Sequence, residues 1–310
     1  MTGVSFLITV YNKAPYLRGV LEAAARQVGE FEREFVIVDD GSTDGSRALA
    51  RELTAGWRNV RLVEQANHGA SAAMNAAAAA ARMPYLKPVD ADDLLVPDAT
   101  SWLLDALHRH DAVMAYGDGG DYDLGTAPTW PALAGPPPTQ RIDDPMTMML
   151  RQSFISPSYI LLRAASYNQV GGCKEHVIPQ DYSLQLKLAA LGAFAHVRAP
   201  VALMPRVAPG RLSDNAARVL HDCNLLLYEC LGEAALTPAQ RRLAARRATG
   251  RAWNYRRRAG GATPMWASWL RFVVARTPLP IDPRSLVAAS CGDFGVPSQL
   301  DGWRPYPQRR

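Results

Sequence analysis

The chain has 310 residues, is 48% hydrophobic and carries a formal charge of +5. That length and apolar content suffice for one large domain or two modest ones and exclude a disordered chain. The charge does not mark a nucleic-acid binder, because Arg241, Arg242, Arg246, Arg247, Arg251, Arg256, Arg257 and Arg258 confine the excess to the last quarter, where such a run is a solvated helix face or a patch for anionic headgroups or phosphates.

The first half alternates short β-like runs with helical patterns, the signature of an α/β protein with a mostly parallel sheet flanked by helices. Val4 to Val10 reads as the first strand. After Pro15, Leu17, Val20, Leu21, Ala24 and Val28 recur at helical spacing, and Pro suits a first helical turn. Phe35 to Val38 is a second strand, short and apolar as a fully buried strand is. Gly41 to Ser46 supplies a turn and caps for a helix running to about Leu53. Arg61 to Glu64 is a third strand, and Ala70 to Arg82 is a helix whose alanines permit close packing on a sheet. Tyr85 to Val89 is a fourth strand, Pro97 opens a helix, and Ala112 to Tyr116 is a fifth strand.

Between Pro128 and Pro145 the texture turns to proline, glycine and polar residues, which reads as an ordered loop or flap over a site. Ile155 to Leu162 returns to β-like sequence. Asp181 to Leu191 is a helix with Leu184, Leu188 and Leu191 on one stripe and Gly192 as its stop. Ser213 and Thr237-Pro238 read as two further helix starts, making a helical appendage to about Ala259. No internal repeat is found. Cys173, Cys223, Cys230 and Cys291 lack CxxC spacing, so neither a disulfide framework nor a zinc site is suggested. No basic leader precedes the first strand, and no run approaches the roughly 20 apolar residues of a membrane span. The expected location is the cytoplasm.

Ligands of open α/β sheets bind beyond the carboxyl ends of strands, near the point where strand order reverses. Thr9, Tyr11 and Asn12 follow strand one, Asp39 and Asp40 strand two, Asn67 and Gly69 strand three, and Asp90, Asp92 and Asp93 strand four. Three carboxylates within four residues repel one another unless cations or hydrogen bonds offset them. Oxygen-only ligands favour Mg2+ or Mn2+, which bind through one or two carboxylates plus substrate phosphates. The competing reading is an acidic helix N-terminus before Pro97, favoured by the helix dipole. Asp44 and Ser46 read as structural, and Asp39 sits where a carboxylate can accept the imide N–H of uracil. No GxGxxG fingerprint or GxxxxGK[ST] loop follows strand one, which counts against a nicotinamide or P-loop enzyme.

These residues carry a resemblance to the family 2 glycosyltransferases. The matching pieces are Val4-Ser5-Phe6-Leu7-Ile8-Thr9-Val10-Tyr11-Asn12, Glu34-Phe35-Val36-Ile37-Val38-Asp39-Asp40-Gly41-Ser42-Thr43-Asp44, Asn67-His68-Gly69 with Asn75, and Asp90-Ala91-Asp92-Asp93 with Pro97-Asp98, in the family's order and spacing. The resemblance covers about the first hundred residues strongly and continues more weakly to about residue 215. It implies an A-type glycosyltransferase fold with a Rossmann-like nucleotide-binding half. It also implies an inverting, metal-dependent transferase acting on a nucleotide-sugar donor, UDP-linked by default, and a glycan, lipid-linked or small-molecule acceptor.

By the same resemblance Thr9, Tyr11 and Asp39 frame the base, with Asn12 beside them, and Asn67, Gly69 and Asn75 line the diphosphate. Asp90 and Asp92 form a DXD motif in which Asp90 meets ribose or metal and Asp92 holds the metal, with Asp93 adjacent. The family often has arginine beside the position of Asn75, where this chain has Met74. Gly171-Gly172-Cys173 followed by Gln180-Asp181 resembles the family's Gly-Gly and Glu-Asp pair, which makes Asp181 the candidate general base; a helix N-cap is its structural alternative. Gln180 replaces the usual glutamate. Arg211-Leu212-Ser213-Asp214-Asn215 resembles a segment that closes over the diphosphate.

Residues 1–212 are thus expected to form a catalytic domain, with 1–116 binding the nucleotide-sugar and 117–212 the acceptor, and 213–310 a helical extension. His68, His176 and His196 read as loop or surface histidines. Trp266, Trp269, Leu270, Phe272 and Val273 lie at helical spacing and read as packing on the core. Peripheral contact with the inner face of the membrane is the sharper alternative, given the neighbouring arginines. A non-catalytic nucleotide-sugar or glycan binder and a sugar nucleotidyltransferase are the rival functional classes. The latter lacks a glycine-rich basic loop after strand one.

Overall fold

The opening apolar run forms a strand because it can be buried on both faces. In a computed structural model describing residues 2–130, 133, 135–152, 155–208, 215–259 and 264–296, Gly3–Val10 (β1) is buried at every position but Thr9. It lies between two parallel neighbours, Glu32–Asp40 (β2) and Tyr85–Asp90 (β4), and β2 pairs in parallel with Val60–Gln65 (β3). A central parallel strand has no solvent face, so it needs no polar alternation.

Helices Ala14–Ala25 (α1), Ser46–Thr54 (α2), Ala70–Ala80 (α3) and Ala99–Arg109 (α4) follow β1, β2, β3 and the short Leu94–Leu95 (β5). Leu17, Val20, Leu21 and Ala24 of α1 are buried as predicted. Val28 is not on that stripe: α1 ends at Ala25, and Val28 lies past the end, 52% exposed. Alanine-rich α3 buries Ala73, Met74 and Ala77 against β1 and β2.

The sheet continues through Met114–Tyr122 (β6), Thr139–Ile142 (β7), Ile160–Arg163 (β8) and Phe194–Pro205 (β9) in the order β3-β2-β1-β4-β8-β6-β9-β5, with β7 paired to β9. Its second half is mixed, since β8 runs antiparallel to both β4 and β6. The run predicted as β at Ile155 to Leu162 is a strand only from Ile160, because Pro157 opens a 3-10 turn over Pro157–Tyr159. The stretch predicted as loop from Pro128 to Pro145 contains β7, an exposed edge strand paired with β9. Pro145 opens Pro145–Arg151 (α5), capped by Asp144 Oδ1 accepting from the Thr147 amide at 2.9 Å.

The chain divides into two compact units. The first holds residues 1–143, 155–173 and 191–209, including the sheet, α1–α4 and Ala164–Gln169 (α6). Its core stacks Phe6 on Phe35 at 5.2 Å between ring centroids and sets Phe35 edge-on to Trp57 at 4.5 Å.

The second unit holds 144–154, 174–190 and 210–310. It comprises α5, Gln180–Leu191 (α7), Ala216–Glu233 (α8), Pro238–Ala259 (α9), Met265–Val274 (α10) and Pro283–Cys291 (α11). The predicted start at Thr237 is a reciprocal cap: the Thr237 amide donates to Gln240 Oε1 at 3.0 Å and the Gln240 amide to Thr237 Oγ1 at 3.2 Å. The predicted start at Ser213 lies outside the described residues, and α8 is capped by Asn215. At the centre, fully buried Asn224 donates to Ala248 O and Ser290 Oγ and accepts from Arg251, tying α8, α9 and α11 together.

The expectation that Trp266, Trp269 and Leu270 pack on the core is overturned. They are 67%, 50% and 46% exposed, because α10 turns Ser268 inward instead.

Candidate active site

The parallel strands end side by side, which gathers the predicted donor-site groups at one sheet edge. Register places Thr9 between Val38 and Asp90, and Val10 opposite Asp39. Asp39 is buried. Its Oδ2 accepts from the Ser42 amide at 3.2 Å and from Arg47 Nε at 3.0 Å, whereas its Oδ1 has no hydrogen-bond partner. A buried acceptor left unmade costs about 1–3 kcal/mol, so a ligand N–H reaching Oδ1 would gain that amount. Tyr11, at 46% exposure, stands beside this edge on the surface.

Asp40 organises the next loop. Its carboxylate accepts from the amides of His68 and Gly69, each at 2.9 Å, and from Gln65 Nε2 at 2.8 Å. Burial raises its pKa, and these hydrogen bonds only partly offset the rise. The loop meets Gly41, which has φ 77°; a Cβ there would lie 2.8 Å from the Asn67 amide nitrogen. The Asp-Gly pair is therefore required where the β2 turn and the Asn67-His68-Gly69 segment touch. Gly69 then starts α3 without a side-chain cap, leaving its first-turn amides outside the helical ladder, as an anion site requires.

Asn12 shapes a loop. Held at φ 52°, it accepts from the Thr43 amide at 2.8 Å through Oδ1, and its own amide donates to Ser42 Oγ at 3.1 Å. Asp44 accepts from the Ala14 amide and Ser46 Oγ from the Lys13 amide, bearing out the structural reading of both residues. Together these bonds stitch the β1–α1 turn to the β2–α2 turn and fix Lys13.

Lys13 Nζ lies 2.5 Å from Asp92 Oδ2. Asp92 belongs to the acidic turn after β4, in which the Asp93 amide donates to Asp90 O, the Asp90 amide to Ser158 Oγ, and the Tyr122 hydroxyl to Asp92 O. Burial, then repulsion from Asp92, pushes Asp90 up to about 7 against the pull of Lys13 and Lys87. Asp93 is raised well above the carboxylate range by burial and by both neighbours, and its Oδ2 has no partner. Lys87, fully buried beneath them, is lowered to about 7 by desolvation despite Asp93 and Asp90. Its ammonium donates to Ser158 O at 2.5 Å and Pro88 O at 3.3 Å. Excess negative charge at this turn is what a divalent cation would relieve. Among the described residues no three His, Cys, Asp or Glu groups converge as a complete metal site.

Asn75 lies on α3 and is engaged within the protein. Its Oδ1 accepts from the Tyr167 hydroxyl at 2.6 Å and the Cys173 amide at 2.9 Å, and its Nδ2 donates to Cys173 O at 3.0 Å. This explains Gly172, which at φ 62° would drive a Cβ to 2.6 Å from Asn75 Oδ1, whereas Gly171 is favoured by its φ of 68° alone.

Asp181 belongs to the second unit, in the first turn of α7 rather than at its N-cap, since the helix already begins at Gln180. Its Oδ1 accepts from the Tyr182 amide at 2.8 Å. Upstream, Asp222 accepts from the Ile178 amide at 3.0 Å and pairs with Arg218. Gln180 is buried and its Oε1 has no partner. Residues 211–214 of the predicted closing segment lie outside the described residues.

Sequence reasoning missed Lys13, Lys87 and Ser158. Lys13 directly follows Tyr11-Asn12 at a strand end, a signal available in the sequence. The inward turn of Lys87 and the approach of Ser158 depend on long-range pairing and leave no local trace.

Carboxylates and a helix start at the carboxyl ends of parallel strands stand where open α/β proteins hold their ligands. Residues 5–171 match the family described as Glycosyl transferase family 2, and the chain belongs to that family. It is 29% identical to chondroitin synthase of Escherichia coli over 63% of this chain and 27% of that protein. It is 32% identical to the teichoic acid poly(glycerol phosphate) polymerase of Staphylococcus epidermidis over 37% of this chain and 16% of that protein. The chain thus spans under a third of the length of these two relatives. Residues 1–349 of S. aureus TarS, solved in complex with UDP, superpose with a TM-score of 0.63 at 17% identity, over 95% of this chain and 89% of that one. This likeness confirms the A-type fold expected from the sequence.

Proposed function

We propose that the chain transfers a sugar from a UDP-sugar to an acceptor hydroxyl with inversion, in the synthesis of a polysaccharide, glycolipid or glycoconjugate. The observation that carries the reading is the unpartnered Asp39 Oδ1 on the same sheet edge as the Asp90–Asp93 turn. A carboxylate accepts the imide N–H of uracil or thymine but meets an acceptor at the same ring position of cytosine. The UDP complex of TarS supports uridine as the base.

Asp90 and Asp92 fit a hard oxygen-binding cation and would hold Mg2+ or Mn2+, with donor phosphate oxygens completing its coordination. A cation held there would supply neutralisation of the charge on the diphosphate leaving group. Lys13, paired with Asp92, would offer the diphosphate the positive charge that Met74 does not. The α3 amides beyond Gly69 bind the diphosphate, with Asn67 shaping the approach and Thr9 and Tyr11 bounding the base. Asn12 and Asn75 hold the loops, and Asp93 adds to the negative field. Asp181 takes the acceptor proton as the acceptor oxygen attacks the anomeric carbon. The acceptor is a glycan, a lipid-linked sugar or a small molecule. Four buried free thiols suit the reducing cytoplasm.

Transfer from labelled UDP-sugars to an acceptor panel tests the reading. Transfer by the native chain that ceases in Asp181→Asn, with UDP binding intact, is expected. Undiminished transfer in Asp181→Asn removes Asp181 as the base.

A further inference from the structure

Helix α10 is amphipathic in the reverse sense for a helix resting on a protein core. Its inward face is polar: Ser268 is buried, its hydroxyl donates to Asp293 Oδ1 at 2.6 Å, and Arg271 pairs with the same oxygen at 2.5 Å. Its outward face carries Met265, Trp266, Trp269 and Leu270, each 46% to 67% exposed. Past the helix in the chain, Leu279 and Ile281 are likewise exposed, at 55% and 41%. Polar anchoring fixes the orientation, so rotation cannot hide the tryptophans without abandoning buried Asp293.

Charge decides what such a face meets. From residue 238 to 296 the sequence has eleven arginines against two acidic residues, Asp282 and Asp293, and Asp293 is already neutralised inside by Arg271. Arg242, Arg246, Arg257, Arg258 and Arg276 are exposed. Two of them border α10. Arg246 donates to Ala275 O at 3.2 Å, and Arg276 lies 3.6 Å above the Phe272 ring while donating to Arg246 O at 3.3 Å. Partial burial and then the adjacent Arg246 lower the pKa of Arg276, a repulsion that no carboxylate among the described residues offsets. Tryptophans beside uncompensated arginines match a bilayer interface, where indole rings sit at headgroup depth and guanidinium groups meet anionic lipid.

We propose that the outward face of α10, with Leu279, Ile281 and the arginines beside it, docks the protein on an anionic membrane surface. The contact is interfacial: no described helix is long and apolar enough to cross a membrane. It is independent of the transfer reaction, so either proposal can fail without the other.

Vesicle flotation of the full chain tests it, using phosphatidylcholine alone and phosphatidylcholine mixed with phosphatidylglycerol. Brominated lipid serves as a tryptophan quencher. The chain is expected to float with the anionic vesicles only, to be quenched there, and to release as salt screens the arginines. Trp266→Ser with Trp269→Ser, both exposed and so neutral for folding, should weaken partitioning by about tenfold or more and abolish most quenching. Arg246→Gln with Arg276→Gln should weaken partitioning while leaving quenching of the bound fraction. Equal flotation of the tryptophan variant, or binding to neither vesicle, overturns the proposal. Loss of self-association in the tryptophan variant, without any vesicle binding by the native chain, would assign the face to a second copy instead.

Discussion

The two units distribute polarity in opposite ways. In the first, apolar residues fill most of the strand interiors, and Asp39, Asp90, Asp92 and Lys13 gather where the strands end, with Lys13 paired to Asp92. In the second, Asn224, Asp222 and Asp293 lie inside among helices, while Trp266 and Trp269 face out. Hydrophobic period thus marks a stripe but not its partner. A parallel strand is buried by its neighbours in the sheet, whereas a peripheral helix turns inward whichever face finds the better anchor.

The largest expected break falls on chemistry in the sheet-edge region. Asp92→Ala should lower transfer by about two to four orders of magnitude and weaken donor binding as well. This separates it from Asp181→Asn, which spares binding. Parallel donor titrations and initial rates distinguish them; unchanged donor affinity in Asp92→Ala would detach Asp92 from the donor.

The core contrast comes next. Leu17→Ala empties a fully buried site and should cost about 2–5 kcal/mol in denaturant unfolding. Trp269→Ala, despite its larger side chain, should cost within about 0.5 kcal/mol because the ring is half exposed. A comparable cost for both would mean that α10 is covered within the monomer.

Gly41→Ala should cost about 1–3 kcal/mol, through its positive φ and the close Asn67 amide, and should weaken UDP binding by displacing the Asn67-His68-Gly69 loop. Retained binding in a destabilised variant would show that the loop is structural only.

The smallest effect concerns Glu229 in the second unit. Burial acts to raise its pKa, but hydrogen bonds from His176 and Lys174 overcome this and hold it below the ordinary 4.5. A folded pKa below the unfolded one gives stability that is present above pH 4.5 and lost as pH falls through the depressed value. Native protein should therefore lose about 1 kcal/mol relative to Glu229→Gln on acidification across that range. Parallel pH dependence of the two proteins would contradict this.

Much of the first unit was legible in the sequence because it is written locally. Strands β1 to β4 each end in their own motif, and Pro15, Gly41 and Gly69 mark the turns between them. The roles of those motifs were less legible. Asp39 keeps an unmet acceptor, but Asn12 and Asn75 spend theirs on Thr43 and Cys173, bonds spanning 31 and 98 residues that no local pattern encodes. Nothing in the sequence sets Lys87 apart within its strand, yet its buried ammonium donates to Ser158 O, 71 residues away. The spacing of the α10 stripe does not say which way it faces, since the anchor that turns it, Asp293, lies 22 residues from Arg271.

Whether Asp39 selects the base is decided by isothermal titration of UDP, dTDP, GDP and CDP into the native chain and into Asp39→Ala, with manganese and with chelator. UDP and dTDP should bind the native chain more tightly than CDP, manganese should strengthen binding, and Asp39→Ala should lose about tenfold or more of the UDP affinity. Equal affinity for UDP and CDP, or an Asp39→Ala variant that binds UDP as the native chain does, would contradict selection by Asp39.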